Sequence, residues 1–309
     1  MRKHLMIFGV LAMMLLVAGC DENGDTGTET RNPFRGGTES LSISFDNDNP
    51  PSEVFDDTPF YVGINVRNTG EYTVPEDEME IRIRGVNPEV YGLTNSDLIK
   101  GPTTTLEGTV FDVNRNLIEG THDYIEFGPF DYSESLSTRI GVPIQANACY
   151  SYGTEVVSEL CIKEDTRDEP GDVCDIDEDK TYYNSAGPVQ VTSVRQTPRG
   201  ASRVDFSFRV EHRGVGTLYS RGASCDTSES GVEENQVFID VDGPAGLDCT
   251  SLEGGGTSGN IRVTEGSRLV TCSLDISDAT SAYIEPISIN MEYTYRQVIT
   301  KNVDVKPVN

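Results

Sequence analysis

From Leu41 onward, short apolar and aromatic runs alternate with clusters of Gly, Pro, Asn and Asp, and no long helical pattern interrupts them. Phe60, Val62, Ile64 and Val66 alternate with Tyr61, Gly63, Asn65 and Arg67. A period of two places alternate side chains on opposite faces of a strand, so this segment reads as a half-buried strand. Phe206, Phe208 and Val210 repeat the pattern ahead of a glycine. The fold class predicted is all-β.

The alternating region also repeats. Pro143 to Lys163 aligns without a gap on Pro286 to Lys306, and six of the 21 columns are identical, including Tyr150/Tyr293 and Tyr152/Tyr295. Landmarks upstream keep the same order. Asn68-Thr69-Gly70 matches His212-Arg213-Gly214, Ile81-Arg82-Ile83-Arg84-Gly85 matches Ile239-Asp240-Val241-Asp242-Gly243, and Leu106-Glu107-Gly108 matches Leu252-Glu253-Gly254. Four matched segments in register predict two tandem immunoglobulin-like β-sandwich domains, over 38–166 and 186–309. Each suits about seven short strands. Residues 167–185, rich in Asp and Glu around Pro170 and Gly171, read as the linker. The chain has no Trp, which separates it from antibody domains.

Asn49-Pro50-Pro51 before a strand, the Asn68-Thr69-Gly70 turn, and Cys149-Tyr150-Ser151-Tyr152 with Cys161-Ile162 resemble uncharacterised archaeal surface lipoproteins. Those proteins carry tandem immunoglobulin-like domains of the cell-adhesion-related, CARDB-like kind. The resemblance implies an extracytoplasmic structural or adhesive role and transfers no catalytic residue.

The first twenty residues carry an address. Arg2, Lys3 and His4 precede an apolar run from Leu5 to Val17, which Ala18, Gly19 and Cys20 close. A charged start, a short apolar stretch and small residues before a break describe a secretory signal over 1–19. Leu16-Val17-Ala18-Gly19-Cys20 resembles a prokaryotic lipobox, in which the cysteine becomes the lipidated first residue. A diacylglyceryl group supplies two acyl chains, enough for stable attachment to a membrane. Residues 20–37 are then expected to form a flexible acidic tether, because their polar composition cannot offset its ordering entropy.

Six cysteines remain after Cys20, and in an exported chain they predict three disulfides. Cys149 and Cys161 are replaced together by Glu292 and Asp304 in the second repeat, which suggests that they pair with each other across a hairpin. In that hairpin Ala148, Tyr150, Leu160 and Ile162 face the core. Cys174 with Cys225, and Cys249 with Cys272, complete the expected set.

Acidic residues number 51 against 24 basic ones, a net charge of −27. Loss of Arg2 and Lys3 with the signal leaves 22 − 51 = −29. That balance argues against binding nucleic acid or an anionic surface. It suits either adaptation to brine or an ordinary acidic surface that resists association.

Sites for chemistry are sparse. Asp175, Asp177 and Asp179 open like a calcium loop, but Lys180 and Ala186 stand where Gly and Glu are needed. Asp46, Asp48, Asp56 and Asp57 form a second acidic group. Gly254, Gly255 and Gly256 lack the following Lys and helix of a phosphate loop. No Cys-x-x-Cys exists for zinc, and the nucleophile elbow that would accompany His122 and His212 is missing. Tyr150, Tyr152, Tyr293 and Tyr295 fall on the expected inner face, where core packing is favoured over a sugar-binding strip. The expectation is a lipid-anchored extracytoplasmic surface protein with a structural or adhesive role, no catalysis, no cofactor, and an unidentified envelope protein as partner. The alternative is an extracytoplasmic lipoprotein that binds a glycan or metal ion.

Overall fold

The computed structural model describes residues 31–132, 135–167, 173–225 and 233–308. The signal segment and Cys20 lie outside the described residues. The first repeat contributes β1 (Leu41–Phe45), β2 (Glu53–Phe55), β3 (Phe60–Asn68), β4 (Met79–Arg84), β5 (Ile99–Lys100), β6 (Val110–Phe111), β7 (Leu117–Ile118), β8 (His122–Phe130) and β9 (Ile140–Ile162). The expected linker holds β10 (Glu178–Asp179) and β11 (Tyr182–Asn184). The second repeat adds β12 (Val189–Pro198), β13 (Arg203–His212), β14 (Thr217–Tyr219), β15 (Gln236–Asp242), β16 (Leu247–Asp248), β17 (Ser258–Arg262), β18 (Ser267–Asp275) and β19 (Tyr283–Lys306). Short 3-10 turns occur, and no α-helix is found among the described residues. The protein is an all-β sandwich, as the alternation predicts.

The alternating residues fall where the period of two places them. Phe60, Val62, Ile64 and Val66 of β3 are buried, as are Val204, Phe206, Phe208 and Val210 of β13. β3 lies between β1 and β8 in a three-stranded sheet. The sheet of the second repeat runs β10-β12-β13-β18-β16. Both cover a single nine-stranded sheet that the two repeats build together, ordered β17-β15-β19-β9-β4-β5, with β11, β14 and β2 at its margins.

At the centre of that sheet, β9 and β19 pair antiparallel along nearly their whole lengths, from Tyr283 opposite Ile162 to Val305 opposite Ile140. Tyr150 faces Tyr295, Ser151 faces Thr294 and Tyr152 faces Tyr293. The repeat offset of 143 carries Tyr150 to Tyr293 and Tyr152 to Tyr295, so the ladder maps onto itself about a pseudo-twofold axis through Ser151 and Thr294. The flanking strands obey the same axis. Ile81 lies opposite Ala148 and Ile239 opposite Met291, again 143 apart (291 less 148).

Each long strand leaves its own sandwich midway and finishes in the other. Gln196 of β12, fully buried, accepts from the backbone N–H of Cys161 at 2.9 Å and donates to its carbonyl at 2.7 Å. At the opposite end, the Lys301 ammonium of β19 donates to the carbonyls of Asp46 and Asn47, each at 3.1 Å. From Arg31 on, the chain is one compact unit. Residues 173–185 of the expected linker are accordingly part of this unit, since β10 extends one sheet and β11 the other.

The end of the expected tether is docked as well. Glu71 accepts from the N–H groups of Arg35 at 2.8 Å, Gly36 at 2.9 Å and Ala186 at 2.7 Å, tying residues before the first strand to the start of the second repeat. These bonds satisfy backbone donors that the composition alone left without partners.

Two of the three expected disulfides are corrected. Cys249 is joined to Cys272, but Cys149 is joined to Cys225 and Cys161 to Cys174. The expected hairpin does not form, because Cys149 and Cys161 lie on one continuous strand. Twelve residues of strand span roughly 40 Å, far beyond disulfide reach. The paired replacement has another cause. Glu292, in place of Cys149, pairs with Arg221 at 2.7 Å, and Asp304, in place of Cys161, pairs with Arg139. Each cysteine ties β9 to a neighbouring segment, and each matching acid of β19 does so by charge.

Candidate functional site on the outer face of the shared sheet

The inner face of the shared sheet is closed by the two covering sheets, so any site on that sheet must lie on its outer face or margins. The side chains there come from the alternate residues of β9 and β19. Across their centre runs a segment, Tyr219 to Cys225, held from both sides. The Cys149–Cys225 bridge fixes it to β9, and the Arg221–Glu292 pair fixes it to β19. The Arg221 guanidinium also lies 3.8 Å from the centre of the Phe238 ring, and that of Arg296 lies 5.3 Å from the centre of Tyr219. Cation–π contact of this kind orients an arginine as well as attracting it.

Beside this segment opens a cleft of about 410 Å³, whose walls include Asp77, Glu80, Arg82, Ser151, Thr294 and Ser224. The Thr294 Oγ1 and the Tyr219 hydroxyl are buried without a hydrogen-bond partner. Nearby, burial raises the pKa of Tyr72, with the Glu292 and Glu78 carboxylates adding to the rise and Arg221 opposing it. Cys149 and Cys225 are bonded to each other, so neither is a nucleophile there. The cleft offers hydroxyls and charges of both signs, a surface for polar contact.

Most of the other residues singled out from sequence have structural partners, whereas the Asp175 Oδ1 is buried without a hydrogen bond. Tyr150, Tyr152, Tyr293 and Tyr295 are buried together about the pseudo-twofold axis, with neighbouring ring centres 6.0–6.3 Å apart. They pack the core, and burial pushes the hydroxyls of Tyr150 and Tyr152 well above the ordinary tyrosine range. The Tyr150 hydroxyl bonds Ser40 at 2.8 Å, and that of Tyr293 bonds Thr154 at 3.0 Å. His212 sits 3.2 Å from the Tyr295 hydroxyl, while His122 is exposed on β8.

Asp177 and Asp179 are both held by Arg195, at 2.7 and 3.1 Å, which neutralises charge that a calcium ion would need. Asp46 accepts from the N–H groups of Asp48 and Asn49, and Asp56 from those of Leu136 and Val308, so these carboxylates secure turns and a chain end. Among the described residues, no three His, Cys, Asp or Glu side chains gather as a metal site requires. Gly254, Gly255 and Gly256 all have positive φ, and Asp248 holds their loop by accepting from the Gly256 N–H at 2.9 Å. The cleft itself was not foreseen. Its floor comes from strand residues of both repeats, and only the register of β9 on β19 brings them together.

Comparison with known proteins gives little further. No family model matches the chain, and no curated protein matches it. Among solved structures, the collagen adhesin CNA from S. aureus aligns at 12% identity over 89% of this chain and 96% of that one, with a TM-score of 0.12. The collagen-binding domain of the Erysipelothrix rhusiopathiae surface protein RspB aligns at 10% identity over 87% and 94%, also with a TM-score of 0.12.

Proposed function

We propose that this chain is a lipid-anchored extracytoplasmic surface protein with a structural or adhesive role and no catalytic one. The observation that supports this reading most is the use of cysteine. All six cysteines after Cys20 are consumed in three bridges, which sets apart the cysteine at the end of the lipobox-like segment. Disulfides persist in oxidising compartments, and an exported chain meets such conditions. The resemblance to archaeal CARDB-like surface lipoproteins points the same way. One of the bridges, Cys149–Cys225, ties the first repeat to the second, a construction suited to holding shape outside the cell, with an envelope protein as the partner.

The test is a Cys20→Ser variant compared with the unaltered chain by membrane fractionation and detergent partitioning. Loss of membrane retention, with a mass lacking the diacylglyceryl group, is the expected outcome. Unchanged retention would overturn the anchor.

A further inference from the structure

Among the described residues, exposed apolar side chains gather most densely on the hairpin of β6 and β7. Val110, Leu117 and Ile118 are exposed, and Val113 at the tip is 99% exposed. Elsewhere along the chain such residues fall singly or in pairs. Val110 stands opposite Ile118 and Phe111 opposite Leu117, so the hairpin is apolar on both faces. It forms a two-stranded sheet of its own, an arrangement that is marginal in water. Its turn is held from within. The Asp112 carboxylate accepts from the N–H groups of Asn114 at 2.8 Å and Asn116 at 2.7 Å, and from the Asn116 amide at 2.9 Å. The Arg115 guanidinium lies 4.5 Å from the centre of the Phe111 ring. Both charges of the segment 110–118 are thus engaged locally, and its apolar side chains face outward.

The hairpin springs from the point at which the chain arrives from Cys20. Thr109, just before β6, donates its N–H to the Gly70 carbonyl at 2.7 Å and its hydroxyl to the same oxygen at 2.9 Å. The residue after Gly70, Glu71, holds the N–H groups of Arg35 and Gly36. Pro33, Phe34, Tyr72, Val110 and Phe111 accordingly line one cleft of about 300 Å³. Phe34 follows Cys20 by fourteen residues (34 less 20). However it runs, a chain of that length spans at most about 50 Å. A bilayer holding acyl chains on Cys20 therefore lies within that reach of the hairpin's base. A short tether raises the local concentration of a tethered group to about the millimolar range, so a contact too weak to retain a free chain can form.

On the reading that Cys20 carries a lipid, on which this inference rests, we propose that the hairpin is a second membrane contact. Val110, Val113, Leu117 and Ile118 enter the interfacial layer of the bilayer that holds Cys20. Exposed apolar groups of this kind mark a surface for lipid or protein, and the nearness of the anchor selects lipid. The contact needs no cationic patch, in keeping with the net charge of −27. The Arg115 side chain is long enough to keep its guanidinium among the headgroups. An anchor alone limits distance, whereas an anchor and a hairpin together fix orientation.

The chain has no Trp, so a Val113→Trp variant reports from the tip alone. The chain from Cys20 onward is coupled through the Cys20 thiol to a maleimide lipid in phosphatidylcholine vesicles, and co-flotation confirms the coupling. This attachment does not depend on lipidation in the cell, so the Cys20→Ser fractionation and this measurement fail independently. The tip indole should shift its emission to the blue and be quenched by brominated phosphatidylcholine. Its quenching by aqueous acrylamide should fall at least about threefold from that of the uncoupled chain. Val215→Trp, at a 99% exposed residue beside the matching turn of the second repeat, should stay open to acrylamide. Leu117→Asp/Ile118→Asp, added to Val113→Trp, should return the tip to water, and the milder Leu117→Ser/Ile118→Ser should do so in part. Thermal melting confirms that each variant is folded. A coupled chain whose tip indole stays in water, equal lipid quenching from position 215, or lipid quenching of the tip that survives both folded double substitutions would each overturn the proposal.

Discussion

The two sandwiches share a frame and differ in how it is fastened. In the first, Phe60 and Phe130 face each other across β3 and β8 and stack at 5.2 Å, with Tyr91 against both. In the second, the same cross-strand position holds Val204 and Leu274. The smaller pair lies near the Cys249–Cys272 bridge, two residues along β18 from Leu274. A stack of aromatic rings in one sandwich is thus matched by aliphatic residues and a disulfide in the other. What does not vary is the turn beneath a tyrosine. Gly70 approaches the Tyr152 hydroxyl so closely that a Cβ would lie 1.8 Å from it, and Gly214 meets Tyr295 in the same way at 2.1 Å. The frame depends on register and on these close approaches, whereas the fasteners are interchangeable.

The largest effect should come from breaking the bridge that joins the halves. Cys149 and Cys225 are 76 residues apart, whereas Cys161 and Cys174 are 13 apart. In the chain-entropy account, a Cys149→Ser/Cys225→Ser variant loses about 4–5 kcal/mol and Cys161→Ser/Cys174→Ser about 3 kcal/mol. Denaturant unfolding without reductant measures both. A larger loss for the shorter loop would mean that the Cys149–Cys225 bridge adds little beyond the Arg221–Glu292 pair beside it.

A smaller effect sharpens the comparison of the frames. Gly70→Ala and Gly214→Ala should each destabilise by about 1–3 kcal/mol, since the added carbon overpacks a closed site. At Gly70 it also meets the Glu39 carbonyl at 2.6 Å, and at Gly214 the Pro188 ring at 2.5 Å. Comparable losses in urea midpoint support one motif used twice. If alanine is tolerated at only one position, that turn is not equivalent to the other.

These motifs show how far the sequence could be read. Alternation in β3 and β13 gave the class, and the gapless match of 143–163 to 286–306 proved to be the axis of the structure. The match of Asn68-Thr69-Gly70 to His212-Arg213-Gly214 located the turns beneath the tyrosines. The hairpin through Cys149 and Cys161 failed for a physical reason. Even-numbered residues face inward whether the chain turns back or runs straight, so periodicity cannot tell two short strands from one long one. Disulfide partners failed with it, because Cys225 reaches Cys149 only when β19 lies beside β9.

The smallest expected effect concerns a single substitution between the repeats, His212 where the first repeat has Asn68. The Asn68 amide donates to the carbonyls of Tyr72 at 2.7 Å and Leu106 at 2.9 Å, and it has no charge to gain. His212 packs edge-on against Tyr295, and burial lowers its pKa below the ordinary value. A depressed histidine pKa means that the unfolded chain takes up a proton at a pH where the folded chain does not. Stability is therefore full above the unfolded value, near pH 6.5, and falls as the pH drops through it toward the folded value. The adjacent charges, Glu211 and Arg213, pair with each other at 2.8 Å and do not reverse the sign. Urea unfolding at pH 7.5 and 5.5 should show the loss in the parent chain, in a window above the range where most carboxylates titrate. His212→Asn, which copies the first repeat, should flatten the difference. If the slope is unchanged in that variant, the proton is taken up elsewhere, and the two turns differ in sequence but not in their response to acid.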